Sequence, residues 1–221
     1  MPGLVQETLA TLKEASARSD AVLVSYSDGK DSRVVMDLCV RSFSRVEAFF
    51  MYLVPGLECQ ALGLQEAERR WGVTIRHYPH PLAGKLLRAG VYCDPAHDDL
   101  PEMKLHDVYG LAMADTGIEV IATGAKRSDN RWRRAFMKWT ESAKVIQPIA
   151  GWTKPDVVGY LHVRGIPVPP SSEKSATGVD LSTVSLLWLH DTFPADFRKL
   201  CEVFPYAEAV VWRRRFYPAA A

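Results

Sequence analysis

Short apolar runs alternate with amphipathic stretches along this chain, and that alternation constrains its fold more than any other feature. The first run, from Ala21 to Val24, is continuous and rich in β-branched residues, which is typical of a strand buried on both faces of a parallel sheet. A polar loop follows it, and a helical stripe then begins at Val34. The pattern predicts an α/β fold with a doubly wound, mostly parallel sheet and helices on both faces.

The same alternation continues along the chain and gives a full set of predicted elements. Helices are predicted over residues 4–18, 57–71, 103–115, 154–164, 182–192 and 195–215, with an interruption near Pro205, and strands over 21–24, 46–54, 73–78, 118–123 and 144–149. From residue 167 a connector rich in proline and serine interrupts the strand–helix alternation,. We therefore predict one α/β domain over residues 1–165 and a helical C-terminal extension over 166–221 that packs on it.

Composition and charge exclude several other classes of protein. The 221 residues include 27 basic and 26 acidic ones, so a net charge of +1 gives no global field for nucleic acid, and any anion site must be a local cluster,. The four cysteines form no C-x-x-C pair, which argues against close-paired zinc or iron–sulfur sites. No signal-peptide core and no run of about 18 apolar residues is present, so we expect a soluble, cytoplasmic protein with no membrane contact.

The loop after the first predicted strand has the strongest chemical signal. It leads directly into a helix, where exposed backbone amides and the positive helix end favour phosphate. Gly29 allows close approach of the backbone, and Lys30 adds positive charge,. Asp31 would cap the helix or hold a metal ion. The residues predicted to contact a ligand here are Ser25, Ser27, Asp28, Gly29, Lys30, Asp31 and Ser32.

The segment from Ser27 to Ser32, S-D-G-K-D-S, resembles the PP-loop motif S-G-G-x-D-S of the adenine-nucleotide α-hydrolase-like superfamily. That superfamily includes ATP pyrophosphatases and phosphoadenosine phosphosulfate (PAPS) reductases. The resemblance implies that residues 1–165 bind an adenine nucleotide, either ATP or PAPS, together with Mg²⁺. One departure is Asp28, where the motif usually has glycine, because a carboxylate beside a phosphate is unfavourable unless a cation lies there.

A second segment, after the predicted fourth strand, begins with a glycine and is rich in cations. It resembles the G-x-R-R-x-(D/E)-S segment by which sulfonucleotide-handling relatives bind anions, and such a cluster can grip a polyphosphate or a sulfate-bearing end. The predicted contacts here are Gly124, Lys126, Arg127, Arg131 and Arg134. The alternatives are a solvated basic loop or a patch for nucleic-acid phosphates.

A third segment, from Gln147 to Leu161, is similar to the P-I-x-x-W-T-x-x-D-V-W-x-Y-I stretch of the PAPS reductase branch. Within it, Thr153 is predicted to cap a helix, and Trp152 is expected to pack beside it. This segment mainly supports the family and the fold.

The cysteines decide which reaction of the family we expect. PAPS reductases use a cysteine nucleophile, usually in a C-terminal E-C-G-x-H-like motif that this chain lacks. Cys201 falls instead on the apolar side of a predicted helix, where a thiol is usually inert. We therefore expect ATP pyrophosphatase chemistry, in which ATP is cleaved between its α and β phosphates and an unknown acceptor is adenylated, in the context of sulfur metabolism or sulfur transfer. The expected catalytic residues are Lys30, Asp31 and Arg127, with Asp31 as the metal ligand.

Two other functions stay open at this point. One is a PAPS reductase that uses Cys201 or the thiol of a partner. The other is a nucleotide-binding subunit of a nucleic-acid modification assembly, with little activity of its own. A homodimer is also an option.

Two further clusters have weaker signals. A zinc site would need the set His77, His80, Cys93 and His97, but its spacing fits no standard pattern and its prolines predict a loop,. The aromatic tail from Phe204 to Tyr217 includes an arginine run at 213–215. It is predicted to be packing plus surface charge, or else a docking site for a protein partner or nucleic acid.

Overall fold

The computed structural model describes residues 2–95, 102–129, 144–168 and 179–217. The strands within these ranges are β1 (Ala21–Ser25), β2 (Arg45–Tyr52), β3 (Ile75–Pro79), β4 (Ile121–Ala122) and β5 (Val145–Ile146). They form one parallel sheet in the order β3-β2-β1-β4-β5. The predicted parallel α/β fold is confirmed, although β4 and β5 have two residues each and are shorter than predicted.

The central strand shows why its sequence is apolar throughout. Val22, Leu23 and Val24 have no exposed surface. Val22 and Val24 belong to the core on one face of the sheet, and Leu23 belongs to the core on the other. Successive side chains of a strand point to opposite faces, so a strand covered on both sides needs an apolar residue at every position.

Helices cover both faces of the sheet. They are α1 (Pro2–Ser16), α2 (Lys30–Val40), α3 (Glu58–Trp71), α4 (Pro81–Arg88), α5 (Leu105–Thr116), α6 (Lys154–Val163), α7 (Thr183–Thr192), α8 (Pro194–Val203) and α9 (Glu208–Phe216), with a short 3₁₀ helix at Pro205–Ala207. α1, α2, α3 and α6 pack on the face of Val22, whereas α5 packs on the face of Leu23. No helix in the described ranges has the length and apolar character needed to cross a membrane.

The sequence pattern did not predict α4. Prolines 79, 81 and 95 suggested a loop, and that prediction was wrong for Pro81–Arg88. Proline is accepted at the first helical position because it has no amide hydrogen to lose there. The ring Nδ1 of His80 accepts a hydrogen bond from the backbone N of Leu82 at 3.0 Å and so caps the helix.

The C-terminal helices share a core with the sheet domain. This core contains Val54, Leu57, Cys93, Leu186, Leu189, Phe197, Leu200, Phe204 and Ala207. Polar contacts add to it, because the buried carboxylate of Asp196 on α8 accepts hydrogen bonds from the backbone N of Glu58 at 2.9 Å and of Cys59 at 2.8 Å. Asp196 thereby caps α3, which has the apolar Leu57 at its N-cap position. The domain boundary at residue 165 stays a prediction.

The strand order determines where a ligand would bind. β1 lies between β2 and β4. After β1 the chain adds β2 and then β3 on one side of it, and it then crosses over to add β4 and β5 on the other side. A crevice forms beyond the carboxyl ends of the strands at such a reversal, and ligands of open parallel sheets bind there. The segments after β1 and β4 meet at this point.

Candidate functional site

The predicted phosphate loop connects β1 to α2 at the reversal point. β1 ends at Ser25 and α2 begins at Lys30. The N-cap residue of α2 is Gly29, with extended backbone at φ −80° and ψ 161°, and it has no side chain with which to bond the first amides of the helix. Asp31 is the second residue of α2, so the alternative that it caps the helix was wrong. An anion placed here would meet backbone N–H groups and the positive end of the helix.

Hydroxyl groups hold the loop in shape. Ser32 Oγ donates to the carbonyl oxygen of Gly29 at 2.9 Å and accepts from the backbone N of Ser27 at 3.3 Å. Ser27 Oγ lies 3.4 Å from Ser32 Oγ. Ser27 and Ser32, whose hydroxyl groups are predicted to contact a ligand, therefore also close the loop. Their contact with a ligand stays a prediction.

Asp28, the departure from the motif, is accommodated by a cation that the sequence did not reveal. Its φ of +57° is in the left-handed region, which suits the usual glycine of this position and which aspartate tolerates,. Its Oδ1 accepts from Arg33 Nε at 3.0 Å, Arg33 Nη2 at 2.7 Å and Tyr26 OH at 3.0 Å. A Cβ added to Gly63 would lie 2.0 Å from Asp28 Oδ2. The carboxylate is therefore paired inside the protein.

The glycine-led segment after β4 packs directly against this loop. A Cβ at Gly124 would lie 3.2 Å from backbone atoms of Asp31 and Ser32, so a larger residue would press on the loop and the close approach favours glycine. Lys126 is 2% exposed, and its Nζ lies 2.7 Å from Asp31 Oδ1 and 2.9 Å from Asp129 Oδ1. The ammonium group of Lys126 thus bridges two carboxylates of the protein, and its predicted contact with a ligand stays a prediction.

The other predicted cations lie partly in this segment and partly in the phosphate loop. Arg127 is exposed, and its backbone N donates to the carbonyl oxygen of Ala150 at 2.9 Å, which holds the segment beside the loop before α6. Arg131 and Arg134 lie outside the described residues. Lys30 pairs with Asp31 at 2.9 Å. The ligand contacts predicted for these four cations stay predictions.

A cavity of about 270 Å³ opens beside the loop at the carboxyl ends of β1 and β2. Its lining consists of Ser25, Tyr26, Ser27, Phe50, Met51, Leu53, Gln60, His80, Leu82, Val179 and Asp180. Such a mainly apolar wall with a few polar groups is typical of a small-ligand site. Burial lowers the pKa of His80, so its ring stays neutral at pH 7,.

Sequence reasoning found only part of this lining. Ser25 and Ser27 were predicted, and His80 was considered as a zinc ligand instead. The strand-end rule could have indicated the segment from Phe50 to Leu53, because it closes the neighbouring strand. Asp180 follows a long stretch of chain after α6, and no local signal placed it at the cavity.

The four cysteines are free thiols and none lines the cavity. Burial raises the pKa of Cys39 and Cys93. Burial and the neighbouring Asp196 raise the pKa of Cys59 to about 12, and burial with Glu208 raises that of Cys201 to about 11. A nucleophilic cysteine needs a lowered pKa, so these surroundings do not activate any of the four.

The described residues contain no group of three or more His, Cys, Asp or Glu side chains that could hold a metal ion. His77 packs its ring against Phe50, with centroids 5.8 Å apart, and His80 caps α4. His97, the last member of the zinc set, lies outside the described residues. Asp31 would offer Mg²⁺ a single carboxylate, and nucleotide sites commonly hold this ion through one or two carboxylates and the ligand's own phosphates. Because Oδ1 of Asp31 pairs with Lys126 and Oδ2 with Lys30, Mg²⁺ would have to displace a lysine.

The sheet order, the loop geometry and the adjoining cavity agree with the PP-loop resemblance drawn from the sequence. Comparison with solved structures bears on the fold alone. The NH3-dependent NAD synthetase from Campylobacter jejuni subsp. jejuni, in complex with the nitrate ion, matches over 100% of this chain and 97% of its own, with 11% sequence identity and a TM-score of 0.53. The U34-tRNA thiolase NcsA from Methanococcus maripaludis, with its [4Fe-4S] cluster, matches 94% of this chain and 78% of its own, with 14% identity and a TM-score of 0.47.

The sequence itself identifies the family. Residues 21–175, more than half of the chain, match the phosphoadenosine phosphosulfate reductase domain, and the chain belongs to that family. Its members are PP-loop enzymes that bind adenine nucleotides. No curated protein sequence matches the chain significantly.

Proposed function

We propose that this protein binds ATP and transfers its adenylate to an acceptor, with release of pyrophosphate. The observation that carries the proposal is the junction of β1 and α2, which borders the 270 Å³ cavity and lies against Gly124. A nucleoside in the cavity would place its phosphates over the amino end of α2. Backbone amides and Lys30 favour negative charge at that point.

The reaction needs a nucleophilic atom of the acceptor to bond to the α-phosphorus while the bond from that phosphorus to the α–β bridging oxygen breaks. The bonding electrons leave with pyrophosphate, and the proton of the acceptor passes to solvent. Lys30 and Arg127 would offset the negative charge that builds on the leaving group. Mg²⁺ bound through Asp31 and the phosphate oxygens would supply further charge neutralisation.

The cavity suits the nucleoside end of ATP. Phe50, Met51 and Leu53 offer apolar contact to a base, while Gln60 and Asp180 offer hydrogen bonds to a base or a ribose,. A triphosphate would not fit into 270 Å³ together with the nucleoside, so the phosphates extend toward the loop,.

The thiols favour this reaction over PAPS reduction. With a pKa of about 11, Cys201 is almost entirely protonated at pH 7, and the thiolate is the form that attacks. Cys201 also packs in the C-terminal core rather than at the cavity. A reductase reaction would then depend on a thiol brought by a partner.

The cavity lining predicts a preference among nucleotides. None of the described lining residues is a lysine or an arginine, and Asp180 is a carboxylate. A 3′-phosphate would lose hydration there without gaining a cation. We expect AMP to bind at least about tenfold more tightly than adenosine 3′,5′-bisphosphate in calorimetry. Asp180→Asn should narrow that difference, whereas a preference of the wild type for the bisphosphate would contradict the choice of ATP over PAPS.

Removal of the loop cation should weaken ATP binding. A charge-assisted contact contributes roughly 1.5–3 kcal/mol, so we expect Lys30→Ala to raise the dissociation constant for ATP by about tenfold or more in calorimetric titration. Lys13→Ala removes an exposed lysine of α1 and serves as the matched control. Equal effects of the two variants would remove Lys30 from the phosphate site.

The products of turnover test the reaction itself. With ATP and Mg²⁺, and with water in place of the acceptor, we expect slow formation of AMP and pyrophosphate by phosphorus NMR, and we expect Cys201→Ser to give the same products. Formation of ADP and phosphate, or thiol-dependent sulfite release from PAPS that Cys201→Ser abolishes, would contradict the proposal. ATP binding without any product would favour the nucleotide-binding subunit.

A further inference from the structure

The outer face of α9 exposes two large aromatic rings. Trp212 is 50% exposed and Phe216 is 65% exposed. Their rings stack with centroids 5.8 Å apart and planes at 10°. The guanidinium carbon of Arg215 lies 5.5 Å from the Trp212 centroid and 6.0 Å from that of Phe216. Two exposed aromatic rings in contact, with a cation beside them, make this face a candidate interaction site.

A second cavity opens beside these rings, between α8 and α9. It has a volume of about 420 Å³, within the range of small-ligand sites,. Its lining is His190, Pro194, Phe197, Arg198, Glu208, Val211, Trp212 and Arg215. Aromatic and guanidinium groups therefore line a recess that none of the PP-loop residues enters.

The charge of this surface is positive. α9 contains arginines at 213, 214 and 215 and a single acidic residue, Glu208. Asp191 on α7 pairs with Arg214, whereas Arg213 and Arg215 are exposed, as is Arg198 on α8. A chain with a net charge of +1 thus concentrates cations around an aromatic pair.

We propose that this face of α8 and α9 binds single-stranded nucleic acid. One unpaired base stacks on the Trp212–Phe216 pair, and the flanking phosphates lie against Arg198 and Arg215, which line the adjoining cavity. Stacking on aromatic rings combined with cations along the backbone is the chemistry by which proteins hold single strands. Glu208 at the cavity offers an acceptor for the exocyclic amino group of a base,.

The same observations disfavour other occupants. A duplex keeps its base faces stacked inside the helix and would leave the aromatic pair without a partner. A second copy of this chain, docked through the same face, would place the arginines of the two copies against each other, which is unfavourable. The inference does not rest on the ATP assignment, because the two cavities share no lining residue.

Anisotropy titrations of the full chain with labelled 12-nucleotide strands of DNA and of RNA, each single and as a duplex, test the proposal. We expect single strands to bind more tightly than duplexes. Trp212→Ala should weaken single-strand binding by about tenfold or more, and Trp212→Phe should retain most of it. Arg215→Ala should reduce the slope of log affinity against log salt by about 0.7. Arg69→Ala, at an exposed arginine of α3, is the charge-matched control.

Three results would overturn the proposal. These are no binding at low salt, duplexes bound as tightly as single strands, and equal losses in Arg69→Ala and Arg215→Ala. Sedimentation showing a dimer that Trp212→Ala dissociates, without oligonucleotide binding, would assign the face to a second copy instead. ATP titration of Trp212→Ala distinguishes a failure of this proposal from a failure of the proposed function, since that variant should bind ATP as the wild type does.

Discussion

Replacing Arg33 with methionine should lower the free energy of unfolding by about 3 kcal/mol at pH 7, because it removes a buried cation from between two partly buried carboxylates,. The Arg33 side chain is 6% exposed and lies 2.7 Å from Asp28 and 3.1 Å from Glu66. It also donates to the carbonyl oxygen of Pro167 at 3.2 Å, which ties α2 to the segment after α6. Methionine preserves the apolar stem, so the loss reports the charge and its hydrogen bonds.

The loss should depend on pH in a defined direction. Burial raises the pKa of Asp28 above its usual value even with Arg33 beside it. The folded state therefore binds more protons than the unfolded state above the ordinary carboxyl pKa, and the contribution of Asp28 to stability falls as pH rises through that window. Removal of Arg33 raises the pKa of Asp28 further. The gap between variant and wild type should thus be smaller at about pH 4 than at pH 7.

A double-mutant cycle in urea denaturation provides the control. Asp28→Gly removes the stranded carboxylate and places glycine at a φ of +57°. We therefore expect the double variant Asp28→Gly/Arg33→Met to recover most of the stability that Arg33→Met loses. Arg69→Met, at an exposed position of α3, should have little effect. Additive losses in the double variant would mean that Asp28 and Arg33 do not stabilise the loop as a pair.

The second large effect is expected at Asp196, where Asp196→Ala should cost about 3 kcal/mol of unfolding free energy. The carboxylate is 1% exposed and receives two backbone hydrogen bonds from the first turn of α3. Hydrogen bonds to charged groups contribute roughly 1.5–3 kcal/mol each, and their loss leaves two amides at a helix end without their acceptor. Urea denaturation measures the change.

Asp107→Ala is the matched control, because its exposed carboxylate accepts from the backbone N of Lys104 at 2.7 Å beside α5. We expect Asp107→Ala to lower the free energy of unfolding less than Asp196→Ala does, since water can replace the lost hydrogen bond at an exposed site. Hydrogen exchange adds a local readout. In Asp196→Ala the amides of Glu58 and Cys59 should exchange faster, while those of β1 stay protected. A loss of stability without faster exchange at α3 would assign Asp196 a different role.

Local sequence determined much of the framework. The apolar run of β1 is readable because a strand covered on both faces must be apolar at every position. The start of α2 can also be predicted from neighbouring residues, because a polar loop directly precedes its apolar stripe. Thr153 caps α6 as predicted, and its Oγ1 accepts from the backbone N of Asp156, three residues along the chain. Trp152 packs beside it against Tyr160, as expected. Periodicity and caps act over one or two turns, so the order of residues is sufficient to indicate them.

Only the tertiary structure decided which cations are buried in ion pairs and which are exposed. Lys126 and Arg127 are neighbours in a basic stretch, yet Lys126 is buried between two carboxylates and Arg127 is exposed. The cap that Asp196 provides for α3 joins residues 138 positions apart. Asp180 likewise reaches the cavity across a long separation in sequence. The physical reason is that an ion pair or a buried cap depends on which segments the folded sheet brings within about 3 Å, and no local pattern encodes that distance.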